Sequence, residues 1–158
     1  MRPIKLPRMN EPEINQLLEE QILCRIAFCS NNAPYIAPFQ YVVVGGNLYF
    51  HFTRYGKKIG LLEEGNPVCV EIEKYAEDLS EYRFVLLTGE LRIVADQEER
   101  ALAIEKIVDT AKKKQLSDNF TVAHGFPKEQ GWNSLTPEKP MVIVKLENVT
   151  EKTGLKSS

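Results

Sequence analysis

The sequence predicts a mainly β fold, six antiparallel strands closed into a small barrel or sheet, with few helices. Three observations carry this expectation. Six runs rich in β-branched and aromatic residues recur along the chain. The first three are separated only by turn-forming clusters, Asn31-Asn32 and Gly45-Gly46-Asn47. Only three segments carry helical spacing, and one of them is long enough for just one or two turns. A chain of 158 residues with no linker, repeat or low-complexity stretch fits one domain, residues 1–158.

The first element is a short amphipathic helix. In EPEINQLLEEQ, Ile14, Leu17 and Leu18 fall at i, i+3 and i+4. Asn10 can cap it, and the acidic residues of its first turn suit the helix dipole. ILCRIAFCS, APYIAPFQYVVV and LYFHFT then read as three consecutive strands, a meander. Pro38 lacks a ladder N–H, so Pro38-Phe39-Gln40 is expected at an edge or a bulge, where backbone can meet a flat ring. YGKKIGLLEEGNP breaks the strand pattern. Ile59, Leu61 and Leu62 form the apolar patch of a short helix, and Gly65-Asn66-Pro67 stops it.

VCVEIE is the fourth strand and YRFVLLTGELRIV a long fifth, with Gly89 as a bulge or bend. DQEERALAIEKIVDTAKKK is a helix. Asp96 starts it, Ala101, Ile104, Ile107 and Val108 repeat at helical spacing, and Lys112-Lys113-Lys114 form a C-terminal charge cluster. Glu63-Glu64 and Glu98-Glu99 read as solvated helix faces. Residues 115–140, with three prolines and the only tryptophan, lack a period; Trp132 reads as a buried or capping residue. PMVIVKLENVT is the sixth strand, and the polar tail 151–158 is expected to fray. VVV and MVIVKL are apolar on both faces, so a helix or partner subunit should cover the outside of the barrel.

Composition narrows the function. A net charge of -2 argues against a general nucleic-acid binder, which carries a basic excess. No run reaches the ~18 apolar residues of a membrane span, and MRPIKLPRMNEPE lacks the apolar core of a signal peptide. A cytoplasmic protein is expected. Three cysteines, Cys24, Cys29 and Cys69, have no zinc spacing and sit in apolar runs, which reads as small buried core residues. His51 has no second histidine near it in the sequence, only His124 far away, so no metal site is expected. Dinucleotide, phosphate-loop, HExxH and GxSxG motifs are absent.

One local pattern suggests chemistry. Thr53, Gly56, Lys57 and Lys58 stand where a strand passes into a helix. A helix N-terminus presents free N–H groups and partial positive charge, two lysines add full charge, and Gly56 lets the backbone turn tightly. A phosphate fits there; so does a solvated pair of surface lysines. His51 lies two residues before Thr53 and so on the same side of its strand, between Phe50 and Phe52.

From Leu6 to Thr153, the order LCRIAF, PYIAPFQYVV, NLYFHFTRYGKKIGLL, NPVCVEIE and YRFVLLTGELRIV with DQEERALAIEKI resembles the pyridoxamine 5'-phosphate oxidase-like FMN-binding split-barrel proteins. It is most similar to the nitroimidazole-reductase branch. The resemblance implies a six-stranded split barrel that binds FMN. Phe50, His51, Thr53, Gly56, Lys57 and Lys58 match the pattern at which that family holds the FMN phosphate, with Lys57 and Lys58 on the phosphate. Ala37, Pro38, Phe39 and Gln40 would edge the isoalloxazine ring, and His51 would sit near ring or ribityl chain as a weak catalytic candidate. The resemblance further implies a homodimer with FMN at the subunit interface, and a flavin-dependent reduction of a small electron-poor molecule. Tyr82-Arg83 matches that branch, but Phe84 stands where a small residue is usual. No arginine matches the product-binding segment of the oxidase proper. A non-catalytic flavin-storage module, and deazaflavin or haem binding, are the alternatives on the same fold.

Overall fold

The computed structural model describes residues 1–158. Its six strands are β1 (Leu23–Ser30), β2 (Ala33–Val44), β3 (Asn47–Phe52), β4 (Val68–Tyr75), β5 (Tyr82–Ile93) and β6 (Val142–Lys156). They close in the order β1-β2-β3-β6-β5-β4, and β4 returns to β1 through Arg25↔Glu71, Ile26↔Val70 and Ala27↔Cys69. All pairings are antiparallel. The closed six-stranded barrel is the fold the sequence predicts.

Three helices accompany it, α1 (Glu11–Glu20), α2 (Lys57–Glu64) and α3 (Gln97–Lys113). Asn10 caps α1 as expected. Its side chain accepts from the Glu13 N–H at 2.9 Å, and Glu13 reaches back to the Asn10 N–H at 2.8 Å. Asp96 caps α3 through the Glu99 N–H. The buried stripe of α3 is Ala103, Ile104, Ile107 and Ala111, with Val108 partly buried against the same core as expected, and the small alanines let the helix lie close to the sheet. No helix is long and apolar enough to cross a membrane.

The barrel has two apolar cores, one on each side of its wall. Inside, alternate residues of every strand meet: Ile26 and Phe28, Phe39 and Tyr41, Phe50 and Phe52, Val70 and Ile72, Val85 and Leu87, Val144 and Leu146. Outside, Val42, Tyr49 and Ile143 pack under α3, Trp132, Leu135 and Met141. This second core is the cover that the two-sided apolar strands required. Trp132 is buried in it and donates from Nε1 to the Leu116 carbonyl at 3.1 Å. The stretch after α3 is three 3₁₀ turns, Asp118–His124, Lys128–Gln130 and Trp132–Ser134, laid along this outer face.

Three expectations need correction. The tail does not fray: β6 runs to Lys156, and its last residues pair with the start of β5 through Arg83↔Lys156. Its polar side chains are held by ion pairs, Lys152 with Glu11 and Lys156 with Glu13, while Gly154 lies against Met9 and Ile14. Of the cysteines only Cys24 is buried. Cys29 is exposed and Cys69 half-buried, because strand alternation turns both outward. Glu99 is not simply solvated; it accepts from the Tyr49 hydroxyl at 2.6 Å and pairs with Lys145 at 2.9 Å. Pro38 does stand at a strand edge, as expected: β2 pairs with β1 without a break from Ala33 to Gln40 and has no partner on the other side of that stretch. Gly89 does mark an irregularity, a register shift between Thr88 and Glu90 on β5. A Cβ there would meet the Glu147 carbonyl at 2.7 Å.

Candidate functional site

Strand β2 changes partner along its length, from β1 over residues 33–40 to β3 over residues 41–44. Its ladder with β3 begins at Tyr41↔Phe50, so residues 33–40 bond to β1 alone and their other edge is open. Pro38, with no N–H to offer, stands on that half-paired stretch. The edge is where the chemistry-bearing residues gather. A cavity of about 70 Å³ beside it is lined by Pro38, Phe39, Gln40, His51, Thr53 and Lys58, together with Phe120, Ala123 and His124 from the first 3₁₀ turn.

The cationic turn forms as the sequence suggests. Gly56 is the N-cap of α2 at φ 88° and ψ 179°, a region open essentially to glycine. It aims the first turn of α2, with Lys57 and Lys58, back toward β2. Lys57 Nζ lies 4.6 Å from the centre of the Tyr35 ring, and Lys58 Nζ 4.6 Å from that of Phe39. No carboxylate pairs with either lysine. Aromatic faces hold the two ammonium groups without neutralising them. The Thr53 hydroxyl donates to the Tyr55 carbonyl at 3.2 Å, which leaves its oxygen lone pairs free.

The other expected residues divide by face. His51 and Thr53 face the cavity, as does Gln40, which is only 5% exposed. Phe50 and Ala37 point into the barrel interior, so only their backbones are near the site. Phe39 does both: it stacks on Phe52 inside, centroids 4.6 Å apart, and carries Lys58 on its ring.

The sequence reading missed His124. It places this residue far from His51, yet the 3₁₀ turn brings the rings together, stacked 10° from parallel, with Nδ1 to Nδ1 at 2.9 Å. On its far side, His124 Nε2 meets Gln40 Oε1 at 2.7 Å. Phe120 and Trp132 meet the His124 ring edge-on. No sequence spacing could have announced a contact 73 residues apart. Burial pushes the His51 pKa down to about 3, with help from the charges of His124 and Arg100, and burial alone pushes His124 down to about 4. Both rings are neutral at pH 7. Two imidazoles that bond each other in this way are not a metal cage, and no group of three His, Cys, Asp or Glu side chains comes together anywhere.

One polar atom in this site has no partner. Gln40 Nε2 is buried and makes no hydrogen bond, the only such side-chain atom in the chain. A buried orphan donor costs about 1–3 kcal/mol, so it points to an acceptor on a bound molecule. A wider cleft of about 430 Å³ opens at the far end of β4 and β5, between Tyr75, Tyr82, Arg83 and Lys156. Its Lys74 and Lys156 are already paired with Glu20 and Glu13, and it holds no buried unpartnered group. The β2 edge is therefore the candidate site.

The family described as pyridoxamine 5'-phosphate oxidase matches this chain over residues 10–138. An uncharacterized protein of Rhizobium meliloti is 30% identical over 81 residues, 51% of this chain and 52% of that one, so the match spans about half the length of this curated relative. Among solved structures, a FAD-binding protein of Mesorhizobium loti superposes with a TM-score of 0.72 at 16% identity, covering 98% of this chain and 100% of that one. A candidate 5-nitroimidazole antibiotic resistance protein of Bacteroides thetaiotaomicron gives 0.66 at 19%, covering 99% and 93%. A FAD-binding protein of Mycobacterium smegmatis gives 0.63 at 19%, covering 95% and 97%. At these identities the likeness to solved structures carries the fold alone.

Proposed function

The chain belongs to the pyridoxamine 5'-phosphate oxidase family, and on that premise we propose that it is a cytoplasmic, homodimeric FMN-binding oxidoreductase that reduces a small electron-poor molecule. The observation that carries this reading is the pair Lys57 and Lys58. Two cations free of carboxylates stand at a glycine-capped helix N-terminus beside a buried amide that lacks an acceptor. A phosphate monoester on a flat heterocycle answers both needs. Solved relatives of the same fold are described as FAD-binding, which supports a flavin while leaving FMN as our choice.

In this reading Lys57, Lys58 and the first N–H groups of α2 hold the phosphate, and the Thr53 hydroxyl joins them by turning its proton from the Tyr55 carbonyl to a phosphate oxygen. Gln40 Nε2 donates to an acceptor of the ring system. Bound flavin supplies the electron transfer, and the chain supplies position, charge and exclusion of water. A cavity of about 70 Å³ is too small for three fused rings. The ring is therefore proposed to lie across its mouth, over the open β2 edge, on a surface that one chain leaves half uncovered.

A second copy of this chain is the proposed cover. The outer face of β2, β1, β4 and β5 carries a band of apolar residues open to solvent: Leu23, Ile36 at 62% exposure, and Leu86, with Ala27 and Cys69 aligned between them. Arg25, paired with Glu71 and Glu73, sits in the middle of the band. An apolar patch with a central ion pair, continuous with the half-open site, suits a self-complementary interface.

The test begins with the visible spectrum of the purified protein before and after addition of FMN and washing, with FAD in parallel. Retained FMN absorbance with a dimeric mass in solution is expected. A protein that ignores both flavins would sink the proposal. Bleaching by a nicotinamide donor, followed by recovery of colour on addition of a nitroaromatic, is expected of an enzyme; bound flavin that never turns over would make the protein a carrier.

A further inference from the structure

His51 and His124 are the only histidines in the chain, and each is tied to a group that dictates its proton. Gln40 presents its carbonyl oxygen to His124 Nε2 at 2.7 Å, so that nitrogen must carry hydrogen and donate. A neutral ring protonated at Nε2 is bare at Nδ1. His124 Nδ1 is therefore an acceptor, and the proton in the 2.9 Å contact belongs to His51 Nδ1. His51 is then bare at Nε2. That nitrogen has no hydrogen-bond partner and is not among the fully enclosed unpartnered atoms, so it is open to whatever fills the cavities it borders.

We propose that Gln40 and His124 are positioning residues that fix the tautomer of His51, so that His51 presents an unprotonated Nε2, an acceptor, to the bound molecule. The site then offers an acceptor at His51 Nε2, and beside it the enclosed Gln40 Nε2 is a donor that a ligand reaches once the Gln40 side chain shifts. The ligand class they recognise carries an N–H or O–H donor and a carbonyl or ring-nitrogen acceptor. His51 receives a hydrogen bond or a proton there; it does not supply one.

The surroundings keep both rings neutral. No carboxylate lines either cavity that His51 borders. The charged groups facing the pair are cations: Lys58 on α2, Arg54 after β3, which donates to the Pro140 carbonyl at 3.1 Å, and Arg100 on α3, which donates to the carbonyls of Pro137, Lys139 and Met141. An imidazolium would meet only like charge and apolar wall. The relay rests on the hydrogen bonds alone. Only the identity of what His51 meets rests on the flavin reading.

The deciding experiment is a long-range ¹H–¹⁵N correlation of the histidine side chains in flavin-free protein at pH 7, where two rings give four nitrogen signals. The expected result is two neutral rings, His124 protonated at Nε2 and His51 at Nδ1. His51 protonated at Nε2 would mean that the Gln40 amide is turned over and both tautomers reversed, and would overturn the proposal. H124F or Q40L should release His51 to a mixture with Nε2–H; if H124F does not fold, Q40L alone decides. An unchanged His51 in a folded variant would overturn the proposal as surely. Because the measurement needs no flavin, a failure of FMN to bind would defeat the proposed function and leave the relay standing.

Discussion

The two halves of the candidate site are built in opposite ways. The cationic turn is local, partly exposed and uncommitted: Thr53 to Lys58 are contiguous, and the lysines rest on aromatic faces with no anion. The histidine pair is distant in sequence, buried and committed: Gln40, His51 and His124 come from two strands and a 3₁₀ turn, and all but one of their polar ends are bonded or open to a cavity. The first half can recognise charge without being part of the scaffold. The second is part of the scaffold, so its chemistry and its stability cannot be changed separately.

The largest effect should separate the halves most cleanly. Lys57→Ala with Lys58→Ala removes two charge-assisted contacts of roughly 1.5–3 kcal/mol each. FMN affinity should fall on the order of 100-fold or more by fluorescence titration, while the urea midpoint barely moves. Comparable losses of binding and stability would erase the distinction.

Acid should act on the other half. Both histidines titrate in the folded chain far below their ordinary 6.5, so below that pH the unfolded chain binds more protons. Stability is then flat above about pH 6.5 and falls as pH drops from there toward 4. The slope is up to about 1.4 kcal/mol per pH unit for each ring. Urea unfolding at pH 7, 6 and 5 measures it. H124F should roughly halve the slope, and no slope at all would mean that the rings are solvated.

Gly56→Ala probes the junction. Its backbone conformation costs a residue with a Cβ about 1–3 kcal/mol, so thermal unfolding should shift by that amount and FMN binding should weaken with it. The smallest effect is expected outside both halves. Arg92 pairs with Glu147 on the surface, and its side chain is 62% exposed. Arg92→Ala should cost less than about 1 kcal/mol and leave flavin binding unchanged, which sets the baseline for the rest.

The same contrast explains what was legible in the sequence. Strand alternation and turn residues located β1 to β5, the cap at Asn10 and the stop at Gly65, because each is decided within a few residues. The cationic turn was legible for the same reason. His124 was not: its stretch has no period, and its position is set by packing against Trp132 and Phe120 rather than by local preference. The end of β6 was misread for a related reason. ENVTEKTGLK is polar, and only the pairing of its backbone with β5, together with Glu11 and Glu13 on α1, makes it strand.

That last strand also bears on how the protein is made. β6 pairs with β3 on one side and β5 on the other, from Val142 to Lys156. A nascent chain that has grown only to residue 141 therefore carries five strands with two raw edges, and Phe50, Val85 and Leu87 lack the far wall of their core. Unpaired edges and exposed apolar surface are what invite aggregation during synthesis. The barrel cannot seal until its final strand has left the ribosome. Slow translation across residues 115–140 would lengthen that vulnerable interval, and a chaperone that shields strand edges would shorten its consequences.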